Sequence, residues 1–168
     1  AIIGVCVALW VGDILTKGVI TQYLGFTPIH GLYQPWRILT TAFLHVNLMH
    51  IAFNMVSLYA VGRALEPALG RGPYFCLYLL SALGGTLGVL GWVLIDPSSA
   101  LTVTVGASGA IFGLFGSVFV LQRAAGIDVR AVAGLLAVNL LYGFIVSGVS
   151  WQAHLGGLLF GILATWGM

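Results

Sequence analysis

Ser108 stands in the turn Gly106-Ala107-Ser108-Gly109 at the head of one apolar run, and His154 opens another as Ala153-His154-Leu155-Gly156-Gly157. His50 and Asn54, four residues apart, open a third. A serine hydroxyl, an imidazole and a pair of side-chain donors are the components of nucleophilic acyl transfer with a stabilised oxyanion. They lie in a chain with 6% charged and 60% hydrophobic residues. Polar groups inside membrane-like segments cost free energy, so their presence marks function by default.

The spacing gives each group a geometry. Glycine beside Ser108 permits a tight turn and a close approach of substrate backbone. The start of a helix also offers free N–H groups and the positive end of the helix dipole to a developing oxyanion. Taken alone, Ser108 also reads as a helix-capping serine followed by a small-residue packing pair, Gly109 and Gly113. His154 tips the balance. Gly157 and Gly161 form a flat helical face, and His154 lies one turn above Gly157 on it. The matching glycine-faced helix is the one with Ser108, Gly109 and Gly113, and close backbones there bring Ser108 and His154 within nucleophile–base reach. His50 and Asn54 share one face, so two donors converge on one point. His45 lies one position off that row and is expected to make a structural hydrogen bond.

Three histidines suit zinc, but no H-E-x-x-H motif is present and no carboxylate falls at the outer ends of these runs. The acids Asp13, Glu66, Asp96 and Asp128 do not pair, which excludes an aspartyl mechanism and leaves serine and histidine as a dyad. No metal and no cofactor is called for. A channel or transporter would also use intramembrane His and Asn, but it predicts charged residues in mid-span, and there are none.

These residues need a scaffold, and composition names it. A mean hydropathy of +1.10 and 24 glycines in 168 residues are not those of a water-coated domain. The apolar runs approach the ~20 residues of a membrane-spanning helix and lack the alternation of barrel strands. The expected fold class is all-α, a polytopic membrane protein, with residues 1–168 as one membrane domain. Spans are predicted within 1–24, about 46–65, 73–95, 108–122, 131–147 and from 151 to the end, six in all. Residues 25–45 read as an ordered interfacial loop, and Asp96-Pro97-Ser98-Ser99 as a turn. The chain starts at Ala1 and stops in an apolar run, which reads as a domain trimmed at both ends with no cleavable signal peptide. Cys6 and Cys76 read as buried thiols. The net charge of +2 is too small to suggest nucleic acid.

Arg63, Arg71, Arg123 and Arg130 flank the second and fourth connections, against Lys17 and Arg37 in the first. The positive-inside rule therefore places the second and fourth connections in the cytoplasm. His50, Ser108 and His154 then share one depth, just inside the extracytoplasmic face.

With these residues in place, the chain resembles the rhomboid family of intramembrane serine proteases. The resemblance runs from Trp36-Arg37 through His45-Val46-Asn47-Leu48-Met49-His50-Ile51-Ala52-Phe53-Asn54, Glu66 and Gly70 to Gly106-Ala107-Ser108-Gly109 and to Ala153-His154 with Gly157 and Gly161. It implies a six-span bundle with the serine on the fourth span and the histidine on the sixth. It further implies Ser108 as nucleophile, His154 as general base and acid, and His50, Asn54 and the Ser108 N–H around the oxyanion. Phe112 would stack on the histidine where relatives often have tyrosine, and Trp36-Arg37 and Glu66 would be structural. The implied substrates are single-span membrane proteins cut in or near the lipid bilayer. A catalytically dead, client-binding relative would be expected to lack Ser108 or His154. The compact form fits a bacterial cell membrane.

Overall fold

Caps and breakers cut the apolar runs into nine helices in the computed structural model, which describes residues 1–168. They are α1 (Ile2–Leu15), α2 (Val19–Leu24), α3 (Pro28–Gly31), α4 (Arg37–Thr40), α5 (Leu48–Leu69), α6 (Arg71–Trp92), α7 (Ser108–Ala124), α8 (Arg130–Ile145) and α9 (Trp151–Trp166). Short 3₁₀ turns cover Thr41–Phe43 and Pro97–Leu101. There is no sheet, only an isolated antiparallel bridge between Phe26 and Thr104.

The helix starts follow local chemistry. Asn47 Oδ1 accepts from the His50 N–H at 2.8 Å, and Ser150 Oγ accepts from the Ala153 N–H at 3.4 Å. Each satisfies one of the orphan donors in a first helical turn. The first predicted span breaks at Thr16–Gly18, where Lys17 has φ 54° and Gly18 φ 90°. Asp13 fixes the break, since its carboxylate accepts from both the Thr21 N–H and the Thr21 hydroxyl at 2.7 Å. Helix α5 runs four residues beyond its predicted end, through Pro67, and stops at Gly70 with φ 85°.

Two helices, α5 and α6, are long and apolar enough to cross a membrane by length and composition; α1, α7 and α8 are apolar but shorter. At ~1.5 Å per residue, the 17 residues of α7 reach ~26 Å against a hydrocarbon core of ~30 Å.

Helices α6, α7 and α9 form the centre, with α5 against α7, α1 against α5, and α8 lying on α7 and α9. Small residues let the central backbones meet. A Cβ on Gly157 would collide with the Gly109 carbonyl, one on Gly161 with the Gly113 carbonyl, and one on Gly156 with the Gly84 carbonyl. Buried Leu77, Tyr78, Ile111 and Leu114 fill the layer around them. The outer faces carry exposed Phe53, Val56, Leu141, Ile145, Leu159 and Leu163, so the bundle is apolar outside as well as inside. Cys6 is buried, but Cys76 is exposed, contrary to expectation. It stands one turn before exposed Leu80 on the outward face of α6, while Leu77 and Tyr78 turn into the core.

The loop between α2 and α5 is tied down through backbone carbonyls. Arg37 is buried and donates from Nη1 to the Gly25 carbonyl at 2.6 Å and from Nε to the Gln34 side chain. Thr40 donates to the Leu24 carbonyl at 2.7 Å, and Tyr78 donates from α6 to the Ala42 carbonyl at 2.7 Å. Arg37→Ala is expected to destabilise the fold by about 2–3 kcal/mol, because a charge-assisted bond is lost and a buried carbonyl is orphaned. Thermal unfolding in detergent checks this. Arg37→Lys is expected not to rescue it, since an ammonium lacks the guanidinium's two-directional fork.

Candidate functional site

Ser108 is the first residue of α7, and the turn that delivers it is held from the first loop. The Gly106 N–H donates to the Thr41 carbonyl at 3.1 Å, while the Thr41 hydroxyl donates to the Thr104 carbonyl. Gly106 has φ +135°, and a Cβ there would lie 2.7 Å from His50 Nε2 and 3.7 Å from Ser108 Oγ. Only glycine fits such a turn. The missing side chain leaves the space between His50 and Ser108 open.

His154 is on the first turn of α9, buried, with Nε2 3.0 Å from Ser108 Oγ. The Phe112 ring, one turn after Ser108, stacks on the imidazole at 4.2 Å with 12° between planes. His154 Nδ1 has no hydrogen-bond partner, and no carboxylate stands behind it. The α7–α9 glycine contacts set the separation of the two helices. Ser108 and His154 meet because their backbones touch below them.

His50 and Asn54 line the same cleft as Ser108 and His154. They are not two free donors aimed at one point. Asn54 Nδ2 donates one N–H back to the His50 carbonyl at 2.8 Å, leaving its second N–H for the cleft. His50 offers Nε2 beside Gly106.

His45 lies behind His50, with ring centroids 5.0 Å apart at an edge-on angle. It is 2% exposed. Neither ring nitrogen has a hydrogen-bond partner of good geometry, and the Phe43 backbone is the polar group beside the ring. Burial, and secondarily the neighbouring His50, push the His45 imidazole down to about 4 from 6.5. The unfolded chain therefore binds a proton that the fold refuses, and stability contributed by neutral His45 is full above pH 6.5 and falls as pH drops towards 4. His45→Leu is expected to raise the melting temperature, and the gap to wild type to widen on acidification. A constant gap across that range would show that His45 does not carry the acid sensitivity.

The cleft has a volume of about 1150 Å³ and lies between α5 and α8, walled by Met49 and Phe53 on one side and by Leu135 and Tyr142 on the other. Chemically, the site holds a hydroxyl beside one imidazole, a second imidazole next to it, and helix-start N–H groups under the hydroxyl. These are groups of the kind that acyl transfer uses.

Several contributors were not singled out by sequence reasoning. The α6 glycine face, Gly84-x-x-x-Gly88, packs on Gly156 and Gln152 of α9, and its spacing was visible. Thr41 had no signal, because the partners that tie it to the Ser108 turn are backbone groups 63 and 65 residues on. Trp36 is half exposed, with its indole N–H donating to the Tyr23 carbonyl at 3.3 Å. Glu66 lies at the opposite end of α5 from the site, 3.5 Å from Arg71.

The family model for the Rhomboid domain matches residues 32–168. The chain is 34% identical over 137 residues to rhomboid protease GluP of Bacillus subtilis (strain 168), covering 77% of this chain and 25% of that protein. It is 38% identical over 133 residues to the putative rhomboid protease YdcA of the same organism, covering 76% and 64%. To rhomboid protease AarA of Providencia stuartii it is 29% identical over 152 residues, covering 76% and 54%. The chain thus spans from a quarter to just under two thirds of the length of these relatives. A match over most of the chain, on an all-helical bundle with apolar outer faces, makes this a membrane protein of the rhomboid family.

Proposed function

We propose that this chain is an intramembrane serine endopeptidase, a single six-span membrane domain that cleaves single-span membrane proteins through a Ser108–His154 dyad. One observation carries the reading: the 3.0 Å contact between Ser108 Oγ and His154 Nε2 at the head of an open cleft. The names of its rhomboid relatives support protease chemistry.

In the proposed reaction a substrate segment lies in the cleft as an extended strand. Ser108 Oγ attacks the scissile carbonyl carbon as His154 Nε2 takes the hydroxyl proton. The oxyanion is met by His50, the free N–H of Asn54 and the Ser108 backbone N–H. The C–N bond breaks, His154 passes its proton to the departing amine, and an acyl-enzyme remains. Water then attacks the ester with His154 as base, and the second product leaves with the proton returned to Ser108. Small residues around Ser108 favour a small side chain beside the cleaved bond.

The basic residues Arg63, Arg71, Arg123 and Arg130 support a site on the extracytoplasmic side of a bacterial cell membrane. Two measurements test the reading: labelling of the detergent-solubilised protein by a serine-directed fluorophosphonate, and cleavage of a single-span reporter in liposomes. Labelling and cleavage that both require Ser108 and His154 are expected. A folded chain that neither labels nor cuts would instead be a client-binding member of the family.

A further inference from the structure

Asn139 is the one carboxamide in α8, a helix otherwise made of apolar residues apart from Arg130 at its start and Tyr142. It is exposed, and it lines the cleft on the row Leu135, Asn139, Tyr142. Its Nδ2 donates one N–H to the Leu135 carbonyl at 2.8 Å. The second N–H and the amide oxygen remain available. Across the cleft, α5 presents Ser57, one turn below Asn54. Neither residue is within the Ser108 hydrogen-bonded group.

Each lies about two turns along its own helix. Ser57 follows His50 by seven residues, about 10 Å along α5, and Asn139 precedes the outer end of α8 by six, about 9 Å. Two polar side chains thus line the cleft about two turns along their helices from the dyad end, with apolar Phe53, Leu135 and Leu136 in the same walls. Hydrogen-bonding groups left towards hydrocarbon are costly, and a bound segment that supplies partners removes that cost.

Building on the endopeptidase reading, we infer that Asn139, with Ser57, forms a polar subsite that hydrogen-bonds a polar residue or frayed backbone in the membrane-embedded part of the substrate. The recognised class is a transmembrane segment with an amide or hydroxyl side chain about three residues from the scissile bond if extended, and up to about seven if still helical. Asn139 is a specificity residue and takes no part in the proton transfers.

The experiment walks a single Asn along an otherwise Leu/Ala reporter span, from two to nine residues on the membrane side of the scissile bond. It compares kcat/KM with that of the apolar parent for wild type, Asn139→Leu and Asn139→Gln. Wild type is expected to show a window of about threefold to tenfold preference for the polar reporters. Asn139→Leu should flatten the window, Asn139→Gln should keep it with a shifted register, and Ser57→Ala should narrow it. A flat profile in wild type overturns the inference. So does a window that persists in Asn139→Leu, which would come from weakening of the substrate helix alone. Uniform slowing of every reporter with the window intact also overturns it, and would mark a role in water access. Fluorophosphonate labelling of each variant shows whether the dyad is assembled. If wild type itself neither labels nor cuts the parent reporter, the endopeptidase reading fails instead.

Discussion

Ser108→Ala is expected to abolish fluorophosphonate labelling and reporter cleavage together, and His154→Ala to slow both by about 10²–10⁴-fold. The difference in size follows from the chemistry. Without Oγ there is no atom to phosphonylate or acylate. Without His154 the hydroxyl is still present, still at a helix start and still beside His50, but its proton has no acceptor. Residues that act as one unit are non-additive, so the double variant should be no slower than Ser108→Ala. Phe112→Ala should fall between wild type and His154→Ala. It deletes the ring that stacks on the imidazole at 4.2 Å, and with Nδ1 unpartnered little else fixes the ring plane. Labelling rates for wild type and the four variants measure this. A His154→Ala variant that labels as fast as wild type would remove the dyad from the mechanism and leave His154 with a packing role alone.

The parts of this site that were legible from sequence are those whose signal is a polar residue where apolar ones belong. Ser108, His154, His50 and Asn54 stand out because hydrocarbon penalises them. Asn139 obeys the same rule, and went unread because it has no histidine or glycine motif around it. The glycine faces of α7 and α9 were visible as four-residue spacings, and so was the α6 face at Gly84 and Gly88. Spacing says that a face is flat; it does not say how many flat faces meet, and here three do. Side-chain pairing with backbone was illegible throughout. Arg37 with the Gly25 carbonyl, Thr41 with the Thr104 carbonyl and Asn54 with its own helix have partners that every residue type provides. Hydropathy failed in its own way at Cys76, because an apolar helix in an apolar surround has no polar face to show which side is outside.

Gly157→Ala is expected to cost about 1–3 kcal/mol of stability by overpacking and, beyond that, to lower kcat/KM by about 10²-fold. The new methyl would collide with the Gly109 carbonyl, which is helix backbone and cannot rotate aside as a side chain would. The helices must separate, and the residues that ride on them are Ser108, next to Gly109, and His154, one turn above Gly157. A shift near 1 Å takes a 3.0 Å contact beyond hydrogen-bond range. Gly161→Ala meets the Gly113 carbonyl two turns below His154, so it should destabilise similarly and impair catalysis less. Gly4→Ala in α1 and Gly134→Ala in α8 provide the contrast, since a methyl at either meets nothing within 4 Å. Both should be neutral or more stable by up to about 1 kcal/mol, from helix propensity alone. Unfolding in detergent and reporter kinetics on the four variants separate the two effects of the interface. If Gly157→Ala lost stability but kept its rate, the dyad would be held by its local turn and the Phe112 stack. If it lost both while Gly161→Ala lost only stability, the depth of the glycine contact would set the distance between nucleophile and base.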